Sequence, residues 1–180
     1  RAKGHRFCSD CIQVRRKQTN VEFSIWAAVG WNFKSPLLFY KKTGLNGGFT
    51  GEDYQRDILE GYIKGEFSKI HSRHRIIQED NDGAHGTKTG NNPNARWKQK
   101  SGIEFLLWPP QSPDLSPIEN VWRILKSRVR ARNATSKDEL YQFILEEWEK
   151  ISQEEINTLV LQMPDRLISC RLRKGFSTPY

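Results

Sequence analysis

Two carboxylates, Asp80 and Glu119, stand out among the 180 residues for where they fall rather than for what they are. Asp80 lies in the acidic run Glu79-Asp80-Asn81-Asp82, just past HRIIQ (residues 74–78), which reads as a short strand. Open α/β sheets hold their ligands just beyond the carboxyl ends of strands. Glu119 falls in the first turn of a helix that Ser116 and Pro117 would open. At 3.6 residues per turn, Ile118, Val121, Trp122, Leu125 and Val129 form one apolar stripe, and Glu119 lies about 100° from it, with Arg123, Lys126 and Arg130. Two hard carboxylates converging on one point are what Mg²⁺ takes, since it prefers oxygen ligands and keeps waters for a substrate phosphate. Two such ions about 4 Å apart can generate a nucleophile and stabilise the leaving oxygen of a phosphodiester. Plainer readings stand beside this one. Glutamate in a first helical turn is favoured by the macrodipole alone, and Asp-Asn-Asp-Gly is a good turn sequence.

The elements that must position these acids follow from apolar spacing. VEFSIWAAVGW (residues 21–31) is short and largely apolar, as expected of a strand covered on both faces. PLLFY (36–40) is a second strand, HRIIQ a third, and GIEFLLW (102–108) a fourth, stopped by Pro109-Pro110. Thr50 with Asp53 predicts a capping box, and Ile58, Leu59, Tyr62 and Ile63 an amphipathic helix from Gly51 to about Phe67. Residues 83–94, rich in Gly, Asn and Thr, read as a loop. Helices are expected from Pro117 to about Ala131, from Ser136 (with Glu139 completing a capping box and Leu140, Phe143, Ile144 and Trp148 on one face), and over 153–162. Strands interleaved with helices mean an α/β fold. No internal repeat is visible.

Composition narrows the function classes. Hydrophobic residues at 36% and charged ones at 28% exclude a disordered tail or a coiled coil. No apolar run approaches the ~20 residues of a membrane span, and no secretory leader opens the sequence. With 29 Lys and Arg against 21 Asp and Glu, the charge of +8 favours polyanionic partners, nucleic acid first. Cys8, Cys11 and Cys170 are too few and odd in number for a disulfide framework. Cys8 and Cys11 could form half of a zinc site, but no second pair follows and His5, His71, His74 and His85 lack ligand spacing, so reduced thiols are expected.

The run WPPQSPDLSPIENVWRILKSRV (108–129) resembles the signature of the mariner superfamily of transposases, W-P-P-x-S-P-D-L-N-P-I-E-N-x-W, with Ser116 in place of the usual Asn. QEDNDGAH (78–85) resembles that family's Asp-Asn-x-x-x-His segment after the second catalytic strand, and weaker matches extend the likeness over residues 20–180. The resemblance implies a ribonuclease-H-like mixed sheet flanked by helices. It makes Asp80 the second catalytic acid and Glu119 the third, with 38 residues between them, both metal ligands. Two Mg²⁺ (or Mn²⁺) ions in the intact enzyme, DNA strand cleavage by water, and strand transfer by a 3′-hydroxyl belong to the same implication. Asn81 and His85 match motif positions with no chemical step implied; they are expected to position the loop, and His85 equally to touch DNA.

The family's first Asp sits on a strand upstream of the counterpart of Ser24–Trp26, and the one Asp available there is Asp10, in FCSDCIQV (7–14). It lies too close to the next strand and lacks the Asp-Glu-Ser-like context. With Arg1 at its start and Met163 its only methionine, the sequence reads as a basic leading segment (1–20) followed by a catalytic domain (21–180) incomplete at its amino end. As given it is expected to lack the first strand and not to cut DNA. Arg123, Lys126, Arg128, Arg130 and Arg132, with Lys88, Arg96, Lys98 and Lys100, are expected to form a DNA-backbone surface, the bland alternative being a solvated helix face. The partners implied are transposon ends and target DNA, with a homodimer in the intact protein, no membrane, and the nucleus as location in a eukaryotic host. The competing readings are a domesticated or decayed remnant that binds nucleic acid without cutting it, and a host nuclease of the same fold, against which the proline-rich signature argues.

Overall fold

The computed structural model describes residues 22–40, 43, 49–67, 76–86, 92–176 and 178–180. The leading segment, the Cys8/Cys11 pair, Asp10, Lys88, and the first two residues of HRIIQ lie outside them.

The amino-terminal apolar run forms β1 (Ser24–Trp26) and β2 (Val29–Gly30), followed by β3 (Phe33–Lys34) and β4 (Leu38–Tyr40). Strand β1 pairs antiparallel with β4, setting Ile25 opposite Phe39 and Trp26 opposite Leu38. Strands β2 and β3 close a tight hairpin in which Asn32 takes a left-handed φ of 52°. Side chains alternate across a strand, and both faces here are covered. Phe23, Ile25, Val29 and Phe39 pack toward one core, built on Val121, Leu125, Val129, Ile144, Trp148 and Ile156. Trp26, Phe33 and Leu38 pack toward a second, built on Tyr54, Ile58, Leu59, Tyr62, Ile63 and Phe67. Helices on both sides explain why this stretch is largely apolar rather than strictly alternating.

The second core is carried by α1 (Gly51–Tyr54), which continues through Gln55–Phe67 in the wider π winding. Its start is the expected capping box: Thr50 accepts from the Asp53 N–H, and the Asp53 carboxylate accepts from the Thr50 N–H. A Cβ on Gly61 would come within 3.1 Å of the Arg56 carbonyl oxygen five residues back, so the bare glycine suits the wide turn. Strands β5 (Ile76–Ile77) and β6 (Glu104–Phe105) pair in parallel. The described residues thus form three two-stranded ladders, and helices dominate the rest.

Two helices depart from the sequence reading. Residues 83–94 are not all loop: a 3₁₀ turn, Gly83–His85, follows the acidic run, and α2 (Pro93–Lys100) starts with Asn92 as N-cap and Pro93 in its first turn. The tail also holds a helix, α6 (Met163–Leu172). The remaining helices fall where expected: α3 (Pro117–Arg132), α4 (Lys137–Lys150) and α5 (Gln153–Leu161). Their caps differ in detail. Ser116 makes no side-chain cap, because its hydroxyl is turned to Gln78 Oε1 at 3.3 Å. Ser136 caps α4, but Glu139 binds the N–H and hydroxyl of Thr135 instead of closing the box. From β3, Lys34 donates to the carbonyls of Trp148, Glu149 and Ile151, a cation set at the negative end of α4. Among the described residues no helix is long and apolar enough to cross a membrane.

Candidate active site and nucleic-acid groove

Because β5 and β6 run parallel, their carboxyl ends lie on one edge, and the two acids belong to the chain leaving that edge. Asp80 follows β5 in a tightly hydrogen-bonded loop. Its Oδ1 accepts the Asp82 N–H at 3.1 Å and lies 2.8 Å from His85 Nδ1. The His85 contact, ahead of the Asp82 N–H and against an opposing effect of burial, holds the Asp80 carboxyl below the usual range. The side chain is 70% exposed, and Oδ2 has no partner among the described residues, so an ionised oxygen faces outward. Asp82 caps the 3₁₀ turn by accepting from the Ala84 N–H at 2.8 Å. Gly86 ends the turn at φ 83°, where a Cβ would meet Ala95 N and Asn92 Oδ1 at 3.0 Å, so only glycine fits.

The loop is tied down on every side. Asn81 donates to the Trp108 carbonyl at 2.7 Å, joining it to the chain beyond β6. Asn94, buried on α2, donates to the carbonyls of Ala84 and Gly51. The Tyr54 ring lies 4.5 Å from the His85 ring, and its hydroxyl donates to Glu79 Oε2 at 2.6 Å. Burial first, then the charge of Asp80, raises the Tyr54 phenol, so it stays a donor at neutral pH.

Glu119 occupies the first turn of α3, exposed and with no side-chain partner among the described residues. It opens on a groove of about 440 Å³ lined also by Trp122, Arg123, Lys126, Ser127 and Arg130. This is the face the helical wheel predicts. The chain ahead of it is pinned back to β5: Ser116 reaches Gln78, and the Leu106 N–H donates to the Ile77 carbonyl at 2.9 Å. The turn before α3 is held from the tail. Buried Arg166 donates to Asn120 Oδ1 at 2.8 Å and the Asp114 carbonyl at 2.9 Å, and Asp114 Oδ2 accepts the Thr178 N–H at 2.7 Å.

Among the described residues no three His, Cys, Asp or Glu side chains gather into a metal-binding group. What is present is one open oxygen of Asp80 and the free carboxylate of Glu119. Each is a hard oxygen donor of the kind a divalent cation takes, and Asp80 is not among the residues that line the groove at Glu119.

The cations expected to line a DNA surface divide into three sets. Arg123, Lys126 and Arg130 border the groove. Arg128 is paired with Glu155 at 2.5 Å, and Arg132 binds Glu146 and Glu147 while covering the Phe143 ring. Arg96 and Lys100 are exposed on α2. Lys98 corrects the expectation: it is turned inward, paired with Glu79, donating to the His85 carbonyl, and close to the rings of Tyr54 and Phe105. Burial pulls its ammonium down to about 8. The inward roles of Glu79 and Lys98 beside the acid loop, and of Arg166 at the turn before α3, are not visible in the sequence. Glu79 carries a signal only as a member of the acidic run, and Asp114 and Asn120 only as members of the proline-rich run.

Over 87% of its length the chain takes the ribonuclease-H-like fold of the catalytic domain of Mos1 mariner transposase, with a TM-score of 0.71 at 14% identity over 76% of that chain. It belongs to the DDE superfamily endonuclease family, matched over residues 14–141. Similar curated proteins are the Tcb2 transposase of Caenorhabditis briggsae (32% identical over 124 residues, 69% of this chain and 44% of that protein) and the Tc3 transposase of Caenorhabditis elegans (37% over 125 residues, 68% and 36%). The chain therefore spans less than half the length of these relatives. Mos1 also matches as a paired-end complex with its left transposon end, at TM-score 0.67 and 16% identity over 92% of this chain and 48% of that one.

Proposed function

We propose that this chain is the catalytic part of a Tc1/mariner-type transposase, acting on DNA ends with Asp80 and Glu119 as its divalent-metal carboxylates. The observation that carries the reading is Glu119: an unpaired carboxylate at a helix start, opening on a groove whose other charged residues are Arg123, Lys126 and Arg130. The macrodipole alone favours an acid at this position, but its place in a groove lined by three cations also suits a phosphate backbone bearing a metal. Family membership supports it, as does a solved Mos1 catalytic domain containing Mn.

A bound Mg²⁺ or Mn²⁺ would supply an activated water and neutralise charge at the scissile phosphate. The chain's own residues do the rest. His85 and the Asp82 N–H keep Asp80 ionised and aimed outward. Arg123, Lys126 and Arg130 hold the DNA backbone without reading sequence. Asn120 and Asp114, fastened by Arg166 and Thr178, fix the turn from which Glu119 rises. Transposon-end and target DNA as partners, and the nucleus of a eukaryotic host as location, belong to the same proposal.

Fluorescence anisotropy of a labelled duplex titrated with the chain tests the DNA part. Affinity is expected to fall log-linearly with salt and to vary little between sequences, as phosphate contacts dictate. Absence of binding at low salt, or binding that salt does not weaken, would overturn it.

A further inference from the structure

We propose that Lys98 is a positioning residue for Asp80, locking from inside the loop that presents the carboxylate; this rests on the reading of Asp80 as a metal ligand. One ammonium grips that loop on both sides of the acid. Ahead of Asp80 it pairs with the Glu79 carboxylate, and beyond it donates to the His85 carbonyl at 2.6 Å. His85 is in turn the residue whose Nδ1 meets Asp80 Oδ1. Lys98 and Glu79 are only 11% and 10% exposed, and the ammonium is walled by Phe105 at 4.8 Å and Tyr54 at 5.7 Å. Tyr54 takes the second Glu79 oxygen, which leaves that carboxylate no freedom to turn. To reach a DNA phosphate, Lys98 would have to abandon a buried counter-charge. Helix α2 therefore does more than border the loop: through Lys98 it sets where the neighbouring residues, and with them the exposed acid, must stand.

The test compares Mn²⁺ affinity, read as free Mn²⁺ by electron paramagnetic resonance, in the parent chain, Lys98→Met, the double variant Lys98→Met/Glu79→Gln, and Asp80→Asn. The double variant removes the buried unpaired carboxylate, so it keeps the test open where Lys98→Met alone does not fold. Both Lys98 variants are expected to weaken Mn²⁺ binding about tenfold, the lower end of what loss of an outer-shell partner does. Duplex affinity without metal, and its salt slope, are expected to match the parent. Parent-like Mn²⁺ affinity in the folded Lys98 variants, with Asp80→Asn impaired, would overturn the positioning role and leave the metal reading intact. A salt slope reduced by about one with metal affinity unchanged would make Lys98 a phosphate contact instead. Unchanged Mn²⁺ binding in Asp80→Asn would remove the metal reading itself, and the role of Lys98 with it.

Discussion

Replacing Asn94 by alanine releases the acid loop and the start of α1 at once. Asn94 is 1% exposed, and its amide donates to the carbonyls of Ala84 at 2.7 Å and Gly51 at 2.8 Å. Its orientation is set by chemistry, because a flipped amide would turn its own oxygen on both carbonyls. Alanine leaves the Ala84 carbonyl without a donor in a site too enclosed for easy rescue by water, and takes one of two donors from the Gly51 carbonyl, which keeps the Gln55 N–H. Each such group costs about 1–3 kcal/mol. The Asn94 oxygen is itself buried without a partner among the described residues, so losing it offsets part of this. A net loss of about 2 kcal/mol is expected, and for a domain of this size that lowers Tm by about 4–8 °C. Asn94→Asp is the sharper perturbation. At neutral pH its carboxylate faces two carbonyl oxygens, so it must be worse than alanine. Its deficit should shrink in acid, where the protonated form regains a donor. Urea unfolding followed by tryptophan fluorescence and by far-UV circular dichroism measures both. Asn94→Ala within about 0.5 kcal/mol of the parent, the range of an ordinary surface change, would refute the reasoning. So would Asn94→Asp no worse than Asn94→Ala at pH 7.

Asp53 is held well below the usual carboxylate range, first by the Thr43 hydroxyl and also by the N–H groups of Thr43 and Thr50. Its contribution is therefore present above the unfolded value of about 4 and lost as pH falls through the folded one. The stability gap between parent and Asp53→Asn should be flat from neutral pH to about 5 and close below about 4; a gap independent of pH would contradict this. In duplex titrations, Arg123→Gln/Lys126→Gln/Arg130→Gln should flatten the log–log salt slope by about 2.7, one phosphate per cation. Arg128→Gln and Arg132→Gln, already committed to Glu155, Glu146 and Glu147, should barely change it, and the reverse pattern would move the DNA surface elsewhere. Trp148 is fully buried against Trp122 and donates to the Ser35 carbonyl, so Trp148→Ala should lose about 3–5 kcal/mol in the same urea assay.

Helices with strong local signals were legible in the sequence. The Thr50/Asp53 capping box and the Val121, Leu125, Val129 stripe each imply an element, and each element is there. Helix α2 was hidden because Asn92-Pro93 is at once a turn signal and an N-cap followed by a helix-compatible proline, and the glycine-rich stretch before it favoured the first reading. Helix α6 carries Leu167, Ile168 and Leu172 exposed and Arg166 buried, which inverts the pattern that reveals a helix face. Asp80 and Glu119 could be singled out as candidates because a strand end and a helix start are local features. Lys98 could not. Between Gln99 and Trp97 it looks like a surface cation, and only the tertiary approach of Glu79 and the His85 carbonyl turns it inward. The same holds for Ser116, whose capping role is local and whose actual partner, Gln78, is 38 residues away.

The proposed function requires that Asp80 and Glu119 hold a divalent cation together. It is tested most directly by Mn²⁺ titration of the parent chain, Asp80→Asn and Glu119→Gln, with electron paramagnetic resonance reading the free ion. Both substitutions are nearly isosteric and fall on exposed side chains, so the fold is retained. The account predicts saturable binding to the parent and a loss of at least about tenfold in affinity in each variant. Superimposable titrations for all three proteins would contradict it.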